Sequence, residues 1–408
     1  MMVAEMNNPI FGKNIVLGVT GSISCYKAAD LASKLTQQGA VVDVVLTKGA
    51  TNFISPLTFT SLTGRDVYVD MFDPNSKQAI SHVSLAHEAD VIIVYPATAH
   101  TIAKIAHGFA DDILTTTILA SQANVLVAPA MDGFMFENPA TQENIQKLRD
   151  RGIFILGPSE GRLASGFVGI GRLVEVPYTV DSLEGILGIN GDLDGKNIVV
   201  SAGGTQEPID PVRVITNRSS GKMGFAIARA ARNRGAKVTL VTAPNALPSI
   251  SGIDLRNVGT VEEMKEQVLS ACENADVLVM AAAVSDYRPK NVSDQKIKKD
   301  ITVKQNELSI ELVQNEDFIK DVPETVLKVG FAAESENLLD NARKKLIEKG
   351  FSLIAANDIT STESGFNVDN NKVIILDQSG DTEDVPLMSK YDVGNRILDR
   401  VVKLLDVQ

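Results

Sequence analysis

Along the whole chain, short apolar runs alternate with segments whose apolar residues recur at helical spacing. That is the pattern of a parallel sheet covered by helices on both faces. In the first half the runs are residues 14–19, 41–46, 90–95, 124–128 and 153–156; in the second they are 197–201, 237–241, 276–281, 352–356 and 372–376. Helical spacing follows the first strand of each half, at 30–37 and 225–234. The halves also echo one another. GKNIV occurs at 12–16 and 195–199, a Gly-Ala pair opens the second strand at Gly39-Ala40 and Gly235-Ala236, and Ala-Asp-Val opens the third at Ala89 and Ala275. A duplication and a shared grammar of such folds both account for these matches. The expectation is an α/β chain of two Rossmann-like, doubly wound parallel-sheet domains, 1–184 and 185–408. Their join is expected in the soft stretch punctuated by Gly185, Gly188 and Gly191.

Composition narrows the function. With 408 residues, 44% apolar and 22% charged, the chain has material for two or three domains. Fifty-one acidic residues against thirty-nine Lys and Arg leave a formal charge of −12, so no general nucleic-acid partner is expected. No apolar run approaches the roughly 20 residues of a membrane-spanning helix, and no membrane partner is expected. Residues 1–14 lack a basic, apolar leader, and Cys25 and Cys272 make neither a disulfide framework nor a zinc cluster. A reducing, cytoplasmic compartment is expected. The four histidines, His82, His87, His100 and His107, crowd into 26 residues, yet they lack recognised metal-ligand spacing.

In open parallel sheets the ligand lies beyond the carboxyl ends of the strands, so the loops there matter most. After the first strand comes Gly18-Val-Thr-Gly21-Ser22-Ile-Ser24. It is small and hydroxyl-rich, and it suits a phosphate at the following helix N-terminus; an ordinary tight turn also explains it. It is not G-x-G-x-x-G, and the second strand ends in Thr47 rather than in the acid that holds a dinucleotide ribose. A mononucleotide such as FMN fits better than a nicotinamide cofactor.

The third strand leads into Tyr95-Pro96-Ala97-Thr98-Ala99-His100, with Ala110-Asp111-Asp112 beyond, and the fourth into Pro129-Ala-Met131-Asp132-Gly-Phe-Met135. With Ser81-His82-Val83 and Gly171-Arg172, these ordered signatures make residues 12–175 resemble the flavin-containing cysteine decarboxylases, specifically the phosphopantothenoylcysteine decarboxylase domain of coenzyme A synthesis. The resemblance implies oxidation of a substrate cysteine thiol by FMN to a thioaldehyde, loss of the adjacent carboxylate, then protonation and reduction of the ene-thiol. It implies that Gly21, Ser22, Thr47, Pro96, Ala97 and Thr98 hold FMN and that His82 is the catalytic imidazole, with His100 near the flavin. Two positions depart from the family pattern. Where its P-x-M-N motif offers an Asn to the substrate carboxylate, this chain has Asp132, and an ionised Asp repels a carboxylate. Where its A-C-G stretch supplies a cysteine as proton donor, this chain has Ser165, and an alkyl hydroxyl is a far weaker acid than a thiol of about 8.5. These two residues keep open a ligase-only protein, or a first half serving as a flavin-binding scaffold.

The second half carries Ala202-Gly203-Gly204-Thr205-Gln206-Glu207-Pro208-Ile-Asp210-Pro211-Val-Arg213, then Thr216-Asn217-Arg218-Ser219-Ser220-Gly221-Lys222-Met223-Gly224. It is no Walker A loop, but it is again a glycine- and hydroxyl-rich approach to a helix. Further on stand Ala281-Ala282-Ala283-Val284-Ser285-Asp286, Lys296-Ile297-Lys298-Lys299, Gly330-Phe331, and Lys344, Lys345 and Lys349. Lys345 and Lys349 share a helix face, as a phosphate clamp or as part of a solvated face. By N-x-S-S-G-K-M-G and K-x-K-K, residues 193–405 closely resemble phosphopantothenate–cysteine ligase. The resemblance implies activation of 4′-phosphopantothenate by CTP as an acyl-cytidylate, followed by attack of the cysteine amine. By position, Asn217 orients the acyl-cytidylate (a helix cap is the alternative) and Asp286 reads the cytosine amino group. Lys296, Lys345 and Lys349 hold phosphate charge beside Mg²⁺ carried by the nucleotide. Ala281, Ala282, Ala283, Asp317, Phe318, Ile319 and Phe331 line the substrate site. The family implies a homo-oligomer, with trimers of the flavoprotein and dimers of the ligase.

Overall fold

The computed structural model of the chain describes residues 7–71, 81–298, 308–334, 337–358 and 368–406. The chain folds into two compact units, Met1–Leu187 and Gly188–Gln408. In the first unit, β1 (Asn14–Val19), β2 (Val41–Leu46), β3 (Val67–Tyr68), β4 (Val91–Ala97), β5 (Asn124–Pro129) and β6 (Phe154–Ile155) line up in the order β3-β2-β1-β4-β5-β6. All their pairings are parallel. The strand order reverses between β1 and β4, which makes the space beyond those two strands the topological switch point.

Alternate residues of one strand enter opposite cores, because successive side chains of a strand point to opposite faces. On β4, Val91, Ile93 and Tyr95 pack into one core and Ile92, Val94 and Ala97 into the other. Helices α1 (Cys25–Gln37), α2 (Pro56–Thr63), α3 (Ser81–Glu88), α4 (Ala99–His107), α5 (Ile113–Ala120), α6 (Gly133–Glu137), α7 (Pro139–Asp150) and α8 (Val176–Leu187) accompany the sheet. A hairpin of β7 (Ser159–Arg162) and β8 (Val168–Arg172) stands apart from it.

The second unit repeats the plan and extends it. The strands β9 (Asn197–Ala202), β12 (Lys237–Thr242), β13 (Asp254–Asn257), β14 (Val277–Met280), β17 (Leu327–Glu334), β18 (Leu353–Asp358), β19 (Asn370–Asp377) and β20 (Thr382–Ser389) run in the order β13-β12-β9-β14-β17-β18-β19-β20. The switch point is between β9 and β14. Short pairs β10 (Gln206–Pro208) with β11 (Val214–Thr216), and β15 (Tyr287–Pro289) with β16 (Leu312–Gln314), lie outside the main sheet. Its helices are α9 (Lys222–Arg232), α10 (Val261–Cys272), α11 (Leu338–Glu348) and α12 (Lys390–Leu405). On β14, Val277 and Val279 face one core and Leu278 and Met280 the other. Each such fully buried aliphatic side chain stabilises the fold by about 1.5–3 kcal/mol over exposure.

Two expectations are corrected. The second sheet is not wholly parallel, since β18–β19 and β19–β20 pair antiparallel; a tight turn at Gly380 joins the last two strands. No strand was expected around Gly330, yet residues 327–334 form an eight-residue central strand, β17. The boundary between the units, after Leu187, lies within the stretch expected for the join, and the first part of that stretch is helical to Leu187. Beyond it, a Cβ on Gly188 or Gly191 would lie 2.3 or 2.4 Å from a backbone oxygen of Asn233 or Arg234, so these glycines mark close packing within the second unit.

Candidate active sites

In the first unit the loops after β1, β2 and β4 are bonded together at the switch point. Thr20 Oγ1 donates to Pro96 O (2.7 Å) and accepts from Thr98 N (3.0 Å). Thr98 caps α4, with its side chain accepting from Thr101 N. A Cβ on Gly21 would stand 2.9 Å from the backbone of Gly49, so the first two loops can approach only through glycine. Ser22 and Ser24 follow, and α1 begins with no side-chain cap and no acidic residue in its first turn. Its leading N–H groups and positive end suit an anion. Thr47 closes the β2 turn, donating to Val19 O and accepting from Ala50 N. Gly21, Ser22, Pro96, Ala97 and Thr98 therefore meet at one place, while Thr47 shapes its wall.

The remaining signatures resolve into distinct jobs. Burial raises the Asp112 carboxyl, but Thr115 N–H and the Lys104 ammonium outweigh it and hold the group below the usual carboxylate range. Asp112 caps α5, and Lys104 also binds Asp111 at 2.8 Å. Gly171 lies against the loop after β5, where a Cβ would meet Met131 O at 2.3 Å, and Gly171 O accepts from Met131 N (3.0 Å). This strap brings the β7–β8 hairpin over Asp132. Asp132 caps α6 through Phe134 N (3.1 Å), and Ser165 Oγ donates to its other carboxylate oxygen at 3.0 Å. The two departures from the family pattern, 33 residues apart, are direct partners.

His82 is half-buried in the first turn of α3. His87 is on the same helix, and His107 is on the surface, bonded to Asn144 (3.1 Å). Among the described residues no cluster of three or more metal-ligating side chains forms. Both cysteines are buried thiols whose burial pushes them up, Cys272 to about 11, so neither is poised to give a proton.

In the second unit the switch point opens into a cavity of about 750 Å³. Its floor is built by crossings between loops. Ala283 N donates to Gly203 O (2.8 Å), Ser285 N to Thr205 Oγ1 (3.0 Å), and Ala282 N to Ser201 Oγ (3.1 Å). Gly224 lets α9 close on β9, since a Cβ there would stand 2.6 Å from that of Ala202. Asn217, Ala281, Ala282, Ala283, Asp286, Asp317, Phe318, Ile319, Phe331, Lys345 and Lys349 all line the cavity. Asn217 is not the helix cap, which is Gly221; its amide instead donates to the carbonyls of Ala283 (3.4 Å) and Val284 (3.1 Å). Lys345 donates to Phe331 O (2.7 Å), and Lys349 pairs with Asp317 (3.2 Å). Phe318 and Ile319 are nearly buried in the core below and present only an edge.

Lys296 is exposed and outside this lining; Lys299 lies outside the described residues. The loop at Lys296 is nevertheless anchored, because buried Asp210 accepts from Ile297 N (3.1 Å) and Arg213 donates to Ile297 O (2.8 Å). Sequence reasoning did not single out Asn315, Asn371, Lys222 or Lys390, which also line the cavity. Lys222 carried a signal in the S-S-G-K motif; Asn371 and Lys390 carried none.

The Flavoprotein family profile matches residues 4–188, and that of the DNA/pantothenate metabolism flavoprotein C-terminal domain matches residues 193–405. The coenzyme A biosynthesis bifunctional protein CoaBC of Bacillus subtilis (strain 168) is 43% identical over 398 residues, 96% of this chain and 97% of that protein. That of Escherichia coli (strain K12) is 42% identical over 401 residues, 97% and 98% of the two chains. The solved C-terminal domain of a CoaBC protein is 37% identical and covers 54% of this chain and all of its own, with a TM-score of 0.46. The chain belongs to the family of bifunctional coenzyme A biosynthesis proteins, with a flavoprotein decarboxylase of phosphopantothenoylcysteine in its first half and a phosphopantothenate–cysteine ligase in its second.

Proposed function

We propose that the second unit uses CTP to convert the carboxylate of 4′-phosphopantothenate into an acyl-cytidylate, which the amine of cysteine then opens. The single observation that carries this reading is the cavity at the β9/β14 switch point, which gathers Asn217, Asp286, Phe331, Lys345 and Lys349 from distant parts of the chain. Its volume is in the range of small-molecule sites, about 300–1,000 Å³. Asp286 accepts from the cytosine amino group, the 281–283 backbone and Phe331 wall the nucleotide, and Lys345 and Lys349 take phosphate charge. Asn217, braced on the 283–284 carbonyls, orients the activated acyl group. Splitting amide formation in this way replaces a poor leaving group by a nucleotide phosphate. Mg²⁺ enters with the triphosphate, as hard oxygen ligands favour. Lys296, outside the cavity lining in the free protein, would add its charge to the phosphates from the loop that Asp210 anchors.

The first unit takes the product and decarboxylates it with FMN. The uncapped N-terminus of α1 fits the cofactor phosphate, with Gly21, Ser22 and the 96–98 turn around it. Bound there, FMN supplies a two-electron acceptor for the substrate thiol and returns the pair later. His82 is the acid–base imidazole. Phe134, Met135, Phe167 and Val168 are all exposed beside the Asp132 site, which supports a homo-oligomer in which a second copy covers this edge. The two free, buried thiols are consistent with a reducing cytoplasm.

The test supplies pure protein with 4′-phosphopantothenate, cysteine, CTP and Mg²⁺ and follows pyrophosphate and carbon dioxide separately. Both are expected. Pyrophosphate without carbon dioxide favours the ligase-only reading, for which the Ser165–Asp132 pair is the specific motive; a colourless protein removes the flavin.

A further inference from the structure

We propose that Ser165 and Asp132 work as one proton-delivery pair in the decarboxylase, Ser165 protonating the substrate carbon while Asp132 replaces the proton it gives. The proposal rests on the decarboxylase reading above.

The geometry is that of a relay. Ser165 Oγ is 3.0 Å from Asp132 Oδ2, and the other carboxylate oxygen is held by Phe134 N (3.1 Å), so the carboxyl cannot turn away. The hairpin turn carrying Ser165 is closed by Leu163 N to Phe167 O (2.8 Å) and Gly166 N to Leu163 O (2.9 Å). The strap between Gly171 and Met131 fixes hairpin and loop together. Charged side chains on the elements around the pair are Glu137 on α6, Glu160 and Arg162 on β7, and Arg172 on β8. Arg172 is held by Glu175 at 2.6 Å. Among the described residues, the bonds to the Asp132 carboxylate come from Ser165 and Phe134, while its backbone carbonyl accepts from Phe136 N at 3.0 Å.

Chemistry supplies the direction. A serine hydroxyl alone is too weak an acid to replace a thiol, but a hydroxyl reprotonated in the same motion never carries charge. The substrate brings its own carboxylate to Asp132, and two carboxylates in contact cannot both ionise, so one proton stays between them. When the carbon–carboxylate bond breaks, carbon dioxide leaves and the bonding pair remains as the double bond of the ene-thiol. That pair then forms the new C–H bond with the Ser165 proton, and the Asp132 proton moves to Oγ. Asp132 ends as a carboxylate and Ser165 unchanged. The thiol's two electrons are taken and returned by the flavin, so the net change is one carbon dioxide out and one proton in.

The test uses the full-length, flavin-loaded protein. S165A and D132N should each still release carbon dioxide but lose roughly a hundredfold in product formed per turnover, accumulating ene-thiol, as loss of a general acid does. The double variant D132N/S165A should be no worse than either alone. D132N/S165C should recover, because a thiol is its own acid. Asn caps helices as well as Asp, so D132N keeps α6. Calorimetry with the oxygen analogue of the substrate (hydroxyl for thiol), in buffers of different ionisation heat, should count one proton taken up by the wild type and S165A and none by D132N. Additive losses, an unchanged product ratio in D132N, or unchanged proton uptake overturns the pair. Absence of carbon dioxide from the wild type overturns the decarboxylase reading instead, and the proton count still decides whether Asp132 carries the proton.

Discussion

Lys390 begins α12 with its ammonium donating to Val368 O, at the rim of the ligase cavity. Burial, then the neighbouring Lys222 charge, pulls it down to about 8. Lys222 itself pairs with Asp369 at 2.7 Å. Because the unfolded chain keeps this proton to about 10.4, the free protein gains stability from Lys390 as pH rises from 8 towards 10. An anionic ligand favours the protonated form, so its affinity moves the other way. Pyrophosphate measured by calorimetry at pH 7 and pH 9 should bind about tenfold more weakly at the higher pH, or about 1.4 kcal/mol. In K390M that difference should shrink. An equal loss in K390M excludes Lys390 as its source.

Among elements, the segment after β9 is the instructive one. It belongs to the glycine- and hydroxyl-rich approach to a helix, yet the acids of its Gln-Glu-Pro-Ile-Asp-Pro run face inward. Glu207 receives Val261 N (2.9 Å), and Asp210 receives Val212 N, Arg213 N and Ile297 N. The segment thus clamps α10 on one side and the Lys296 loop on the other. D210A leaves the part-buried N–H groups of Val212, Arg213 and Ile297 without their acceptor, and about 1–3 kcal/mol is the upper bound for each because water reaches part of this segment. We expect nucleotide affinity to hold within a few-fold while the ligase kcat falls at least about tenfold, read as pyrophosphate release; an unchanged kcat would separate Lys296 from this anchor. On the flavoprotein side the hairpin plays the same part, since its own residues fold locally while its docking on Met131 aims Ser165.

For the molecule as a whole, the cores decide independence. Each sheet is sandwiched by two apolar clusters, and no residue of the first pair belongs to the second. Separate expression of 1–187 and 188–408 should therefore give two folded proteins, the second retaining pyrophosphate release with its substrates. A fragment 188–408 that is unfolded by circular dichroism contradicts independent cores.

The strands at 14–19 and 41–46, the two βα series and the loops beyond β1, β4, β9 and β14 were legible in the linear chain. Apolar periodicity, glycine placement and hydroxyl-rich turns are local properties, and a neighbour a few residues away settles them. The missed elements were those whose form depends on distant partners. The strand at 327–334 is defined by lying between β14 and β18, and the antiparallel β19–β20 edge by what it pairs with. The same division runs through the sites. The residue types at Asn217, Asp286, Lys345 and Lys349 marked them as candidates, because a charge or an amide keeps its character wherever it stands, and the four line one cavity. That Asn217 braces the 283–284 carbonyls, that Lys390 enters the ligase cavity and that Ser165 meets Asp132 came from packing alone. The Asn217 and Ser165 bonds span 33 residues or more, and only burial of the intervening elements brings their ends within 3.5 Å.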